Sequence, residues 1–183
     1  MLLIIYMIET LISSKTRVKL LLKFFLNSRT KAYLRSLETE FEESTNAIRL
    51  ELNRFEKAGM LESDMEGNKK FFKANPKHPL FSNLQQIVRK YVGIDTIIEN
   101  VINNLGQVEE VYVTGQFARG LDGNVIDLEF IGEVDSHYLV SLIEKAEQLI
   151  NRKIRYIIYT REEGVALTET ADKKDRLLIW SRG

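Results

Sequence analysis

Residues 43–59 read Glu43-Ser-Thr-Asn-Ala-Ile-Arg-Leu-Glu-Leu-Asn-Arg-Phe-Glu-Lys-Ala-Gly59. Ser44 or Thr45 is the residue type that caps a helix start, and Gly59 suits the left-handed stop that ends one. Between them Ile48, Leu52 and Phe55 fall on one side at helical spacing. The other side carries Thr45, Asn46, Arg49 and Asn53, whose side chains can reach phosphates or base edges. The spacing therefore predicts a helix that buries one face and offers the other to a polyanion.

The flanking residues extend this reading. Upstream, Val18, Leu21, Leu22, Phe25 and Leu26 predict an amphipathic helix over 15–26, with Lys15, Lys19 and Lys23 along its other side. Asn27-Ser-Arg-Thr30 is a turn, and Ala32, Leu34, Leu37 and Phe41 predict a second helix at about 31–41. Downstream, Met60–Met65 and Lys69–Ala74 are short strand patterns joined by Glu66-Gly-Asn68, a hairpin signal. Three helices followed by a hairpin flanked by lysines is the element order of a winged helix.

The stretch from about Lys15 to Asn75 resembles winged helix-turn-helix regulators of the ArsR-like kind. The resemblance is carried by Tyr33-Leu-Arg-Ser-Leu-Glu-Thr-Glu-Phe, Ser44-Thr-Asn-Ala-Ile-Arg-Leu-Glu-Leu and Phe55-Glu-Lys-Ala-Gly-Met-Leu. It implies that the helix near 44–57 enters the major groove and that the hairpin near 62–73 grips flanking backbone. The DNA-binding residues expected on this basis are Thr45, Asn46, Arg49, Asn53, Asn68, Lys69 and Lys70. Lys69 and Lys70 suit phosphates, and Asn46 or Arg49 suits bases. Lys73 and Arg54 lie beside them. Metal sensing is not implied, because the chain has no cysteine to supply the usual ligands.

Charge is distributed in keeping with that placement. Residues 1–92 hold sixteen Lys and Arg against ten Asp and Glu, a balance of +6, and residues 93–183 hold the reverse. A formally neutral chain thus joins a basic half to an acidic one, and a nucleic acid is expected on the first. The absence of cysteine also excludes disulfides and a cysteine nucleophile, while His78 and His137 lack metal-ligand spacing. The apolar opening, residues 1–8, is shorter than the roughly 20 residues that span a bilayer and lacks a signal peptide's basic start. It is expected to be a helix packed on the protein or on a second subunit, in a cytoplasmic protein with no membrane partner.

Asn75-Pro-Lys-His-Pro79 contains both prolines of the chain and breaks the pattern. Leu80–Leu105 follows as two apolar helical pieces interrupted by Gly93. Their apolar surplus has two readings, a dimer seam or packing against the chain's own second sheet. Beyond them, 108–114, 125–131 and 154–159 are strand patterns, Tyr138–Ile150 is a helix pattern, and 177–180 supplies a short last piece. The expected organisation is 1–75 as a DNA-binding domain, 76–106 as a helical linker and 107–183 as a small mixed α/β domain.

The loop Gly115-Gln-Phe-Ala-Arg-Gly120 and the strand after it resemble the start of the nucleotidyltransferase fold. In the minimal members of that family a Gly-Ser turn holds a triphosphate, and alternate carboxylates on the next strand hold divalent metal. Gly115, Phe117, Ala118, Arg119 and Gly120 match, but Gln116 replaces the serine. In one register Val125 takes the first carboxylate position. In the other, Asp127 and Glu129 form an alternate pair that shares one strand face. The later strand offers Arg155 where a third acid is expected. The resemblance therefore implies a vestigial nucleotide site at Gly115, Gln116, Arg119, Asp127 and Glu129, with no catalytic residue, no metal and no cofactor.

Taken together, the sequence reads as an α+β protein, an N-terminal winged helix-turn-helix followed by a small mixed α/β nucleotidyltransferase-like domain. The expected function is sequence-specific regulation of transcription, with double-stranded DNA and a second copy of the chain as partners. The second domain is expected to act as a sensor, open to a nucleotide or small-molecule effector, or as a dimerisation module. The alternative is an active, magnesium-dependent nucleotidyltransferase using Asp127 and Glu129, of the kind found in toxin-antitoxin pairs.

Overall fold

The computed structural model describes residue 10 and residues 12–170 and 175–182, the side chains of 168–170 excepted. It is a mixed α+β structure of helices and two sheets. The apolar opening over residues 1–8 lies outside the described residues.

Helix α1 spans Lys15–Leu21, its N-terminus closed by Ser14, whose side chain accepts from the Arg17 N–H. The helix then widens into a π-helical turn, Leu22–Leu26, with all five residues buried. The basic face expected along α1 is thereby corrected. Lys23 is buried and reaches Glu40 at 2.5 Å, and Lys19 reaches Glu43 at 2.8 Å, because the acids after residue 37 fold back onto this helix.

A two-residue strand, β1 (Ala32–Tyr33), precedes α2 (Leu34–Phe41), which ends on Glu42 in the left-handed conformation. The second helix thus starts three residues later than its periodicity suggests, because Ala32 and Tyr33 pair with Phe72 and Phe71 of the hairpin. Helix α3 spans Thr45–Lys57 with Ser44 as cap and buries Ile48, Leu52 and Phe55. It also buries Glu51, held by Arg17 at 2.9 Å and Arg54 at 2.8 Å. Gly59 turns the chain at φ +71° into the hairpin β2 (Leu61–Glu66) and β3 (Lys69–Ala74), closed by Gly67 and Asn68. Register runs from Leu61 opposite Ala74 to Glu66 opposite Lys69, and β1 adds to the far side of β3.

Helices α4 (Phe81–Val92) and α5 (Ile94–Asn100) meet at Gly93, φ +96°. Val88, Tyr91, Val92, Ile94, Ile97, Val101 and Ile102 are all buried within this one chain, whereas Leu80 and Ile87 are exposed. These helices pack on the π-helical turn, on each other and on the helix Ser136–Ile150 rather than chiefly on the second sheet.

The second sheet has the order β6-β5-β4-β7, from β4 (Val108–Thr114), β5 (Val125–Gly132), β6 (Lys153–Tyr159) and β7 (Arg176–Ser181). A one-turn helix α6 (Gly115–Ala118) follows β4. Helix α7 (Ser136–Ile150) crosses between β5 and β6, the parallel pair, and α8 (Arg161–Thr170) follows β6. Val111, Val113, Ile126, Leu128 and Phe130 line the inner face, each buried to 1 % exposure or less. Each such side chain contributes about 1.5–3 kcal/mol on leaving water.

One continuous cluster of buried side chains runs through both halves. At the junction, Gly120 comes so near the π-helical turn that a Cβ on it would lie 2.5 Å from the Lys23 Cα. The buried Asn27 amide donates to the Ala118 carbonyl at 2.9 Å.

Candidate functional site

Two places collect the residues that the sequence singles out. The first is a groove of about 580 Å³ between α3, the start of α2 and the hairpin. Leu52 and Phe72 form its buried floor. Arg35, Arg49, Asn53, Asn68, Lys69 and Lys70 stand around it, all exposed.

Each side chain is positioned by a local feature. Arg49 and Asn53 are one turn apart on the face of α3 opposite its buried residues. Asn68 and Lys69 stand at the hairpin tip because the turn needs only Gly67 and Asn68. Lys69 Nζ lies 4.5 Å above the Tyr33 ring, which meets Phe71 edge-on at 5.2 Å. Lys70 is held by Glu56 at 2.7 Å. That hydrogen bond, with a second from Ser63, keeps the Glu56 carboxyl below its usual range. Lys73 points to the other side of the hairpin, toward Glu62 at 3.2 Å and Asp64 at 3.5 Å. Arg35 and Arg49 make no side-chain hydrogen bond or ion pair with any described residue.

The groove thus brings together Arg49, Asn53, Asn68, Lys69 and Lys70. Thr45 and Asn46 sit in the first turn of α3 and do not line it. Arg35 and Tyr33 complete the groove and were not singled out from sequence. The only signal for them is their place in the Tyr33-Leu-Arg motif, because neither carries a charge cluster or a periodic pattern of its own.

The second place is the outer face of the four-stranded sheet. Asp127 and Glu129 share that face, which gives the alternate-carboxylate geometry of the second register. Each is already engaged. Arg155 on β6 lies directly across from Asp127 and binds it at 2.7 Å. Arg176 on β7 reaches over β4 to Glu129 at 2.6 Å, its guanidinium 3.6 Å above the Tyr112 ring. Hydrogen bonding to Asp127 raises the Arg155 pKa further.

The turn before this strand is equally occupied. Gly115 has φ +64°, and a Cβ there would lie 2.8 Å from the Asp127 carboxylate. The Gln116 amide lies against Gly123, where a Cβ would come within 2.6 Å of its oxygen. Phe117 and Ala118 are buried, and Arg119 faces Asp175 at 3.6 Å. Magnesium held by Asp127 and Glu129 would have to displace two guanidinium groups, so these residues do not fit the ion. Among the described residues no three His, Asp or Glu side chains are grouped to hold a metal.

No protein-family model matches the chain, and a search of curated proteins returns no match. Two solved structures align with about half of it. A protein of Archaeoglobus fulgidus that carries no functional name is 21 % identical, with 50 % of this chain and 97 % of that one covered and a TM-score of 0.37. A protein of Sulfolobus solfataricus, named provisionally as a nucleotidyltransferase, is 28 % identical, with 52 % and 83 % covered and a TM-score of 0.34. Scores this low carry neither a fold assignment nor an activity. Among the described residues no helix is long and apolar enough to cross a membrane.

Proposed function

We propose that the protein is a sequence-specific DNA-binding regulator. Residues up to 75 act as a winged helix on double-stranded DNA, and the second module is a nucleotidyltransferase-like domain without catalysis that serves as sensor or dimerisation unit. The observation that carries this reading is the groove beside α3. It gathers four cations and two asparagines on a helix and a hairpin, with Arg35 and Arg49 unengaged by any described acid. Exposed unpaired guanidiniums beside amide side chains are the chemistry of phosphate positioning and base-edge reading. In this reading α3 lies along the major groove. Arg49, Asn53 and the first-turn Thr45 and Asn46 face the bases, and Lys69, Asn68 and Arg35 hold phosphates.

The pairing of Asp127 with Arg155 and of Glu129 with Arg176 supports a second module without metal chemistry. The enzymatic alternative would use the strand face that Asp127 and Glu129 share, and both carboxylates there are taken by arginines.

Binding to duplex DNA across a salt series tests the proposal. Log affinity should fall linearly with log salt, and Arg35→Ala with Lys69→Ala should flatten that slope by about two units, roughly one per lost phosphate contact. Arg49→Ala should instead relax discrimination between sequences. Absence of binding at low salt, or a slope unchanged in the double variant, would overturn the reading.

A further inference from the structure

A second cavity lies where the turn after the π-helical segment, α4 and β7 meet. It holds about 250 Å³ and is bounded by segments that are far apart in sequence. The turn after the π-helical segment contributes Asn27, Ser28 and Arg29, α4 and the start of α5 contribute Gln85, Arg89 and Ile94, and β7, an edge strand, contributes residues 176–179.

Its cations are only partly neutralised by described acids. Arg29 makes no side-chain hydrogen bond or ion pair with any described residue, its own N–H being used on the Asn27 side-chain oxygen. Arg89 binds Asp95 through Nε at 3.1 Å, and its two terminal nitrogens have no described partner. Of the three arginines on the lining, Arg176 is answered by Glu129 and Arg89 by Asp95, and Arg29 alone has no acidic partner among the described residues. The Ser28 hydroxyl has no described partner either, and the Gln85 amide reaches only the Phe25 carbonyl at 3.4 Å.

We infer that this cavity binds a small phosphate monoester at the junction of the two halves. Forked guanidinium donors match the oxygens of a phosphate, and the hydroxyl and amide beside them can serve its polar body. The volume lies below the roughly 300–1,000 Å³ of sites for larger organic ligands, so the occupant is compact. The site is distinct from the Gly115 turn, whose space is filled by Asp127 and Gln116. Its position also gives it leverage. Asn27 holds Arg29 with its oxygen and the second module's Ala118 with its amide nitrogen, so a ligand on Arg29 bears directly on the junction.

The test uses the full chain and needs no DNA, so it stands or falls separately from the function proposed above. Inorganic phosphate, adenosine monophosphate and succinate are titrated by calorimetry and by thermal shift. Phosphate or the nucleotide should bind saturably, with affinity reduced at least about tenfold in Arg29→Gln and in Arg89→Lys, which keeps the Asp95 pair but loses the fork. Lys69→Ala/Lys70→Ala should leave that binding unchanged. The inference is overturned by absence of saturable binding, by binding of succinate alone, by binding indifferent to both arginine variants, or by binding that disappears with the groove lysines.

Discussion

Glu129 and Arg176 form an ion pair of 2.6 Å that bridges β5 and β7 across the intervening strand, with the Tyr112 ring under the guanidinium. Both side chains are largely withdrawn from water, at 17 % and 7 % exposure. The pair therefore behaves as a structural cross-tie, and the carboxylate is not free to serve a metal.

Removing one partner leaves a buried charge unanswered. Glu129→Gln should lower stability by about 3 kcal/mol, within the range for breaking buried pairs, as read from urea unfolding. The double change Glu129→Leu/Arg176→Leu should cost less than the single one. A loss in the double variant equal to the sum of the losses in Glu129→Leu and Arg176→Leu would show that the two residues act independently.

Two glycines with positive φ make a controlled comparison. Gly67 has φ +58° and open space around it, whereas Gly120 has φ +71° and the Lys23 backbone at the position of its missing Cβ. Gly67→Ala should cost only the left-handed strain of an L residue, about 1–2 kcal/mol. Gly120→Ala must also separate the two halves at their contact and should cost clearly more. Similar midpoints for the two variants in a thermal melt would contradict that close approach.

Periodicity and punctuation made most of the fold legible. The cap at Ser44, one of two candidates, the stop at Gly59 and the break at Gly93 act through local backbone preference and fall where the sequence places them, while the expected turn Glu66-Gly-Asn68 narrows to Gly67 and Asn68. What eluded reading depends on partners remote in the chain. The strand at Ala32 and Tyr33 exists only because Phe71 and Phe72 pair with it. Helix α8 was missed because Arg161–Thr170 carries a weak apolar pattern around Gly164, which packs against Ile131. Lys23 reads as a solvent-facing lysine until Glu40 is folded against it. For the candidate sites, sequence located Arg49, Asn53 and the hairpin lysines through one helix face and one turn. It left the register of Asp127 and Glu129 open, because spacing along one strand says nothing about the arginines that neighbouring strands bring to it.

At the rim of the groove, Lys70 Nζ is held 2.7 Å from Glu56. Because the hydrogen bond from Lys70 lowers the Glu56 pKa in the folded protein, the pair stabilises above the ordinary glutamate value of 4.5 and is lost as pH falls through the lowered one. Both side chains are partly solvated, so the stability involved is below about 1 kcal/mol. Its effect on binding should be larger. Glu56→Gln removes a negative charge from the groove and releases a lysine to phosphate, so duplex affinity should rise at low salt and the salt slope should steepen by about one unit. The Lys70→Ala variant should abolish that gain. An unchanged slope in Glu56→Gln would mean that Lys70 faces no phosphate.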